Sequence, residues 1–151
     1  MSVKSITVFM GSQLGADPEF TTIASALGQA LAQRQITLVY GGGRDGLMGV
    51  TARAAMAHGG QVIGVSPKNL AEETMPAADI TQLMTVETMS ERKELLMSLA
   101  DAFIVLPGGF GTLEELAQVL SWARIGLHHK PLVLLNVNGY YDHLWDWLAD
   151  S

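Results

Sequence analysis

The chain has 151 residues, of which 48% are hydrophobic, and it contains no cysteine. This length suits one domain with a substantial core and is too short for two ordinary ones. The lack of cysteine excludes disulfides, thiolate catalysis and Cys-ligated metals. The formal net charge of -6 argues against a general nucleic-acid surface, although backbone N–H groups could still hold a small phosphorylated ligand.

Neither the start of the chain nor its apolar runs indicate export or membrane insertion. Residues 1–5 lead directly into a strand pattern and lack the long apolar stretch of a signal peptide. No apolar run approaches the roughly 20 residues of a membrane span. We therefore expect a soluble cytoplasmic protein without a membrane partner. The chain stops at Asp150-Ser151, inside or just after a predicted helix, which leaves a truncated C-terminus open.

Short apolar runs alternate with amphipathic helical patterns along the whole chain. The predicted strands cover residues 6–10, 36–40, 61–65, 82–86, 102–106 and 132–137. The predicted helices cover residues 17–33, 46–58, 89–100, 112–125 and 140–149, and residues 67–79 are predicted as a loop. This alternation predicts βαβ units with right-handed crossovers. We expect a single α/β domain over residues 1–151, a Rossmann-like doubly wound parallel sheet with helices on both faces.

Three predicted strands end in turns that could bind a ligand, since ligands of such sheets lie beyond the carboxyl ends of the strands. The turns are Gly11-Ser12, then Gly41-Gly42-Gly43-Arg44-Asp45-Gly46, then Pro107-Gly108-Gly109-Phe110-Gly111-Thr112. None matches a P-loop, because no lysine follows. The first also departs from the GxGxxG dinucleotide fingerprint, which weakens the alternative of an NAD-dependent oxidoreductase.

The third turn is the most informative of the three. Glycines let the backbone pass close to a ligand, and the following helix offers N–H groups and a positive dipole end that suit phosphate. A plainer interpretation is that Thr112 and Glu115 form a Thr-x-x-Glu capping box. That box does not explain three glycines in four positions, so we predict phosphate binding here.

Taken together, these motifs resemble the LOG ("lonely guy") family of cytokinin riboside 5′-monophosphate phosphoribohydrolases and their bacterial relatives. The residues that carry the resemblance are Tyr40-Gly41-Gly42-Gly43, Gly46-Leu47-Met48-Gly49, Glu91-Arg92-Lys93 and Pro107-Gly108-Gly109-Phe110-Gly111-Thr112-Leu113-Glu114-Glu115. The likeness continues through Lys130-Pro131 and Asn138-Gly139-Tyr140-Tyr141-Asp142, and so covers nearly the whole chain.

The resemblance implies hydrolysis of the N-glycosidic bond of a purine nucleoside 5′-monophosphate, AMP or an N6-substituted AMP, to free base and ribose 5-phosphate. It implies that Arg92 and Glu115 are the catalytic pair, with Glu115 stabilising positive charge on the ribose or activating water. It also implies a homodimer or larger assembly. The residues expected to bind substrate or phosphate are Gly11, Ser12, Gly42, Gly43, Lys93, Pro107, Gly108, Gly109, Phe110, Gly111, Thr112 and Ser121.

Some positions depart from the family pattern. Phe110 stands where tyrosine is frequent, and Ser121 where threonine often occurs. An acidic substrate-binding residue of some relatives aligns with Thr74, just after Glu72 and Glu73, which leaves the role of that loop in base recognition open.

Other chemistries fit the sequence less well. The family has also carried the label lysine decarboxylase, but none of Lys4, Lys68, Lys93 and Lys130 stands in the context of a pyridoxal phosphate Schiff base. We expect no cofactor and no metal, because the histidines show no ligand spacing. Trp122, Trp145 and Trp147 are interpreted as core or dimer-interface residues. The main alternative is a binding protein, such as a molybdenum-cofactor carrier with the same core, that hydrolyses nothing.

Overall fold

The computed structural model describes residues 2–73, 75 and 79–151, with the side chains of residues 71–73 excepted. Six strands, β1 to β6, cover Ser5–Phe9, Thr37–Tyr40, Val62–Pro67, Gln82–Val86, Ala102–Val105 and Leu132–Leu134. Five helices, α1 to α5, cover Pro18–Gln33, Gly46–Ala57, Met89–Ser98, Phe110–Arg124 and Asp142–Ala149. Short 3-10 helices cover Lys68–Glu73 and Val137–Gly139.

All strands pair in parallel, in the order β4-β3-β2-β1-β5-β6. The predicted Rossmann-like parallel sheet is confirmed. Both faces are covered by helices, because the apolar strands present side chains in both directions. One buried cluster joins the sheet to α1 and α2 and includes Val8, Ala24, Leu38, Leu47 and Ala52. The other joins it to α3 and α4 and includes Phe9, Leu96, Phe103, Leu116 and Val119.

The strand order reverses between β1 and β5, which are neighbours in the sheet although three other strands separate them in sequence. The loops after these two strands meet at the carboxyl edge, where the Gly11 amide donates to the Pro107 carbonyl at 3.0 Å. Such a point of reversal is where open α/β sheets leave a crevice for ligands.

Several boundaries differ from the sequence predictions. Helix α4 begins at Phe110 rather than at residue 112, and β3 continues to Pro67. Strand β6 stops at Leu134, because the chain turns into the 3-10 helix Val137–Gly139 and α5 begins only at Asp142. The predicted loop 67–79 contains the 3-10 helix Lys68–Glu73. Among the described helices, none is both long and apolar enough to cross a membrane.

Candidate active site

A cleft of about 780 Å³ lies at the carboxyl edge of the sheet, where the loops after β1, β2 and β3 meet the start of α4. It brings together most of the residues that the sequence singled out. Those that line it are Gly11, Ser12, Gly43, Arg92, Gly109, Phe110, Gly111, Thr112 and Glu115. The cleft therefore contains the predicted catalytic pair together with the predicted phosphate turn.

The start of α4 opens into this cleft with its backbone amides unpaired. Gly109 is the N-cap residue and makes no side-chain cap hydrogen bond. The first amide with a helical partner is that of Leu113, which donates to the Gly109 carbonyl at 3.0 Å. Among the described residues, no acceptor faces the amides of residues 109–112. Unpaired N–H groups at the positive end of a helix dipole form a site for an anion.

The glycines of this turn have two different explanations. A Cβ on Gly108 would lie 2.1 Å from the Thr112 hydroxyl oxygen, so packing requires glycine there. A Cβ on Gly109 or Gly111 would meet nothing within 4 Å. Packing within the chain thus leaves these two glycines unexplained, and for Gly111, which lies inside the helix, glycine costs about 0.5–1 kcal/mol relative to alanine. Room for a ligand close to the backbone accounts for both.

Thr112 and Glu115 do not form the capping box that the sequence also allowed. Because α4 begins at Phe110, Thr112 lies inside the first turn, where it is buried against Gly108. A related arrangement caps α3 instead, where Thr88 accepts from the Glu91 amide at 3.1 Å and Glu91 accepts from the Glu87 amide at 3.0 Å. The Glu115 carboxylate is therefore not needed as a cap.

Glu115 is held partly buried in the second turn of α4, facing the cleft. Burial raises the pKa of the Glu115 carboxyl to about 7, although the charge of Arg92 acts to lower this pKa. Smaller contributions come from Glu114, which raises the pKa, and from Lys93, which lowers it. No hydrogen bond from the described residues reaches this carboxylate. A carboxyl group that is partly ionised near neutral pH and has no hydrogen-bond partner in a cleft is typical of a catalytic position.

Arg92 reaches the cleft from α3 and is fixed by main-chain oxygens at the ends of two neighbouring strands. Its Nε donates to the Val65 carbonyl at 3.0 Å, and one terminal nitrogen donates to the Gly41 carbonyl at 2.6 Å. A Cβ on Gly41 would lie 2.1 Å from that nitrogen, so glycine makes room for the guanidinium. Burial lowers the pKa of Arg92 and Glu115 raises it, but a guanidinium remains charged in proteins. Some of the guanidinium N–H groups remain available to a ligand.

Five predicted binding residues do not line the cleft. Lys93 forms an ion pair of 3.0 Å with Glu114 and lines a small space behind Glu115 rather than the cleft. Gly42 is buried, with a positive φ of 79°, and packs against Gly64. Ser121 is exposed in the second half of α4 and lines no part of the cleft. Pro107 and Gly108 support the turn from behind, so the structure gives none of these five side chains or glycines a direct place at the ligand.

Other residues also line the cleft. Gly41, Arg44 and Asp45 belong to the second glycine-rich turn, whereas Gln13, Met48, Ser66 and Leu70 were not singled out by the sequence. Their closeness to the carboxyl ends of β1, β2 and β3 is the signal that could have found them. The loop around Glu72 and Thr74, whose role in base recognition the sequence leaves open, lies outside the described side chains. No lysine stands among the described residues that line the cleft.

The histidines and tryptophans have ordinary surroundings. His128 contacts the Val119 carbonyl at 2.9 Å, and the described residues include no group of three or more His, Cys, Asp or Glu that could hold a metal ion. Trp122 packs against the core, as predicted. Trp145 and Trp147 are 57% and 66% exposed, so a core role is wrong for both within this chain.

The fold and the cleft define a Rossmann-like α/β protein in which a helix start with unpaired amides and an Arg–Glu pair share one cleft. A family model described as "Possible lysine decarboxylase" matches residues 48–151. A cytokinin riboside 5′-monophosphate phosphoribohydrolase of Rhodococcoides fascians is 46% identical over 151 residues, covering 98% of this chain and 75% of the relative. The chain belongs to this family, the LOG family.

Plant relatives and solved structures extend the comparison. A phosphoribohydrolase of the same name from Arabidopsis thaliana is 48% identical over 93% of this chain and 65% of its own length. A probable one from Oryza sativa subsp. japonica is 45% identical over 94% and 62%. The chain thus spans somewhat under two thirds of these plant proteins. The molybdenum cofactor binding protein of Rippkaea orientalis has the same fold, with a TM-score of 0.79, 26% identity, and coverage of 99% of this chain and 86% of that one.

Proposed function

We propose that this protein hydrolyses the N-glycosidic bond of purine nucleoside 5′-monophosphates, including cytokinin riboside 5′-monophosphates and AMP. The observation that carries the proposal is that one helix supplies both parts of the site. Its first amides have no acceptor among the described residues, and Glu115 follows six residues after Gly109, about 9 Å along the axis. That separation suits a ribose 5-phosphate unit lying between the helix end and the carboxylate. The names of the relatives support the same chemistry.

In the proposed reaction, water adds across the bond between ribose C1′ and the base nitrogen. The water oxygen becomes the C1′ hydroxyl, and its remaining proton ends on the base. Positive charge develops on the sugar as the bond breaks, and an ionised Glu115 stabilises it more than it stabilises the neutral ground state. Arg92 would hold a substrate oxygen through the N–H groups that its main-chain contacts leave available.

The experiment is a base-release assay with AMP, N6-isopentenyl AMP and adenosine. The phosphate site predicts turnover of the two monophosphates and little of adenosine, because only a phosphate uses the amides at the start of α4. Equal turnover of AMP and adenosine contradicts the phosphate assignment. No base release from any nucleotide of a wider panel of monophosphates contradicts the hydrolase.

A second candidate is carriage of molybdenum cofactor, a phosphorylated pterin, which the likeness to the Rippkaea orientalis protein suggests. A carrier has no need of a partly ionised carboxyl group facing the cleft, so Glu115 favours the hydrolase. Tight pterin binding combined with no base release would reverse that preference.

We further propose that two copies of the chain associate through α4. An apolar stripe runs along its outer face, with Phe110 91%, Leu113 43% and Ile125 68% exposed, and the small residues Ala117 and Ser121 lie between them. Exposed apolar surface of this kind marks an interface. Light scattering should give twice the mass of the chain, and Leu113→Glu should give the single mass. A wild-type monomer at micromolar concentration contradicts the dimer.

A further inference from the structure

We propose that Tyr140 is a positioning residue for the anion site, whose hydroxyl holds the Gly109 amide toward the cleft. The inference rests on the proposed function in one respect, because it takes the start of α4 as the site of the 5′-phosphate. Tyr140 does not line the cleft. It acts on the ligand only through the backbone of the turn.

Three successive carbonyls of the turn are each fixed by a donor from another part of the chain. The Leu106 carbonyl accepts from the Tyr141 hydroxyl at 2.6 Å. The Pro107 carbonyl accepts from the Gly11 amide at 3.0 Å. The Gly108 carbonyl accepts from the Tyr140 hydroxyl at 2.6 Å. The orientation of every peptide plane leading into α4 is thereby set from outside the turn.

The geometry of the peptide bond links these contacts to the cleft. In a trans peptide, the carbonyl of one residue and the N–H of the next point in opposite directions, and the described chain contains no cis peptide. Holding the Gly108 carbonyl therefore directs the Gly109 N–H away from Tyr140. The Tyr141 hydroxyl contacts the Leu106 carbonyl and the Gly108 backbone N–H, so it does not act on the peptide that carries the Gly109 N–H.

The turn needs such a contact because its sequence is permissive. Gly108 and Gly109 can adopt many backbone conformations, and neighbouring side chains do not restrict Gly109. Without the Tyr140 hydroxyl, the peptide between these glycines could rotate and remove one donor from the site. A donor that is already oriented does not lose that freedom when the anion binds.

Tyr140 is itself well held, although 48% of it is exposed. Its ring lies edge-on to Phe20, with centroids 5.3 Å apart, and to Tyr141, at 4.8 Å. The preceding turn contains Asn138 with a φ of 51°, and the Asn138 side-chain amide donates to Asp17 at 2.9 Å. A chain of contacts thus joins the N-cap of α1 to the phosphate turn.

The test compares two neighbouring substitutions, Tyr140→Phe and Tyr141→Phe, each of which removes one hydroxyl from the same turn. Binding of ribose 5-phosphate is measured by calorimetry and by amide chemical shifts, which needs no turnover. Tyr140→Phe should weaken binding about 3- to 10-fold, the scale of one hydrogen bond, and should reduce the shift of the Gly109 amide on titration. With a nucleotide substrate it should raise KM by a similar factor and change kcat less than twofold.

Tyr141→Phe is the control, because its buried hydroxyl contacts the Leu106 carbonyl and the Gly108 backbone N–H and not the peptide that carries the Gly109 N–H. It should lower the thermal midpoint and leave the ribose 5-phosphate affinity within twofold of the wild type. Unchanged affinity in Tyr140→Phe, or an equal loss in both variants, overturns the inference. Failure of wild type to bind ribose 5-phosphate overturns the anion site and the inference with it. Binding that depends on Tyr140, without base release, overturns only the hydrolase.

Discussion

The two glycine-rich turns of this protein look alike in sequence and have different roles in the structure. At the start of α2, the amides of Leu47 and Met48 approach the Gln13 and Gly11 carbonyls, each at 3.4 Å. At the start of α4, the corresponding amides have no acceptor among the described residues. The amides at the start of α2 are thus already paired with the loop after β1. Within the described part of the chain, only α4 of these two helices keeps free amides that could receive an anion.

The same contrast continues one and a half turns into each helix. The sixth residue of α2 is Thr51, which is fully buried and donates to the Leu47 carbonyl of its own helix at 2.9 Å. The sixth residue of α4 is Glu115, whose carboxylate faces the cleft. Equivalent positions in two similar turns are therefore buried in the core in one helix and directed to the cleft in the other.

The largest effect is expected at Glu115. Glu115→Gln keeps the shape of the side chain and removes its charge, so base release should fall by roughly 100-fold or more, as for the loss of a preorganised electrostatic group. The neighbouring Glu114→Gln, which removes only the exposed partner of Lys93, is the control and should keep activity within about threefold. Turnover and thermal unfolding are measured on both. Full activity in Glu115→Gln would remove the distinction between the two helices.

The second prediction concerns the glycine-rich turn before α2, residues 41–46. Gly46 has a φ of +63°, and an added Cβ would lie 2.2 Å from the Ser12 carbonyl carbon. Gly46→Ala should lower the free energy of unfolding by about 2–4 kcal/mol, from backbone strain together with overpacking. Gly59→Ala is matched in backbone conformation, with a φ of +76°, but its Cβ meets nothing within 4 Å. It should lower the same quantity by about 1–2 kcal/mol; equal losses in urea unfolding would show that the contact with Ser12 does not matter.

The third prediction is that kcat/KM depends on pH through the ionisation of the Glu115 carboxyl. Its carboxyl pKa rises from 4.5 to about 7 on folding. If the ionised form is active, kcat/KM should rise about tenfold per unit as pH increases toward 7 and level off above it. A profile that instead falls as pH rises through 7 would make Glu115 a proton donor.

The same shift predicts how stability depends on pH. A raised carboxyl pKa gives stability that is fully present below 4.5 and is lost as pH rises through about 7. Glu115→Gln has no charge to bury. Its free energy of unfolding relative to wild type should therefore increase by roughly 2–3 kcal/mol between pH 4 and pH 8. Parallel curves for the two proteins would contradict the raised pKa.

The smallest effect is expected at Gly111. Its Cβ would meet open space, so Gly111→Ala should raise the free energy of unfolding by up to about 1 kcal/mol through helix propensity. The added methyl group should at the same time weaken ribose 5-phosphate binding several-fold, because it lies where the ligand approaches the backbone. If Gly111→Ala is more stable but binds ribose 5-phosphate as tightly as wild type, Gly111 is not needed to make room for a ligand.

The fold was predictable because its determinants are local. Apolar runs such as residues 102–106 and helical patterns such as residues 17–33 identified every strand and α-helix in order, with errors only at the ends. The start of α4 was misplaced because Thr112 and Glu115 have the spacing of a capping box, whereas the buried contact of Thr112 with Gly108 places it inside the first turn. Packing within the turn overrode the capping preference that the Thr-x-x-Glu spacing suggested.

By itself, the sequence determined the parallel α/β architecture, the glycine-rich turn before α4, and the proposed catalytic pair Arg92 and Glu115. Only the tertiary structure decided which turn keeps its amides unpaired, since the acceptors that occupy α2 come from the loop after β1. It also decided the pKa of Glu115, which depends on burial among distant residues. The contact of the Tyr140 hydroxyl with the Gly108 carbonyl was also decided by the tertiary structure, because 32 positions of sequence separate the two residues.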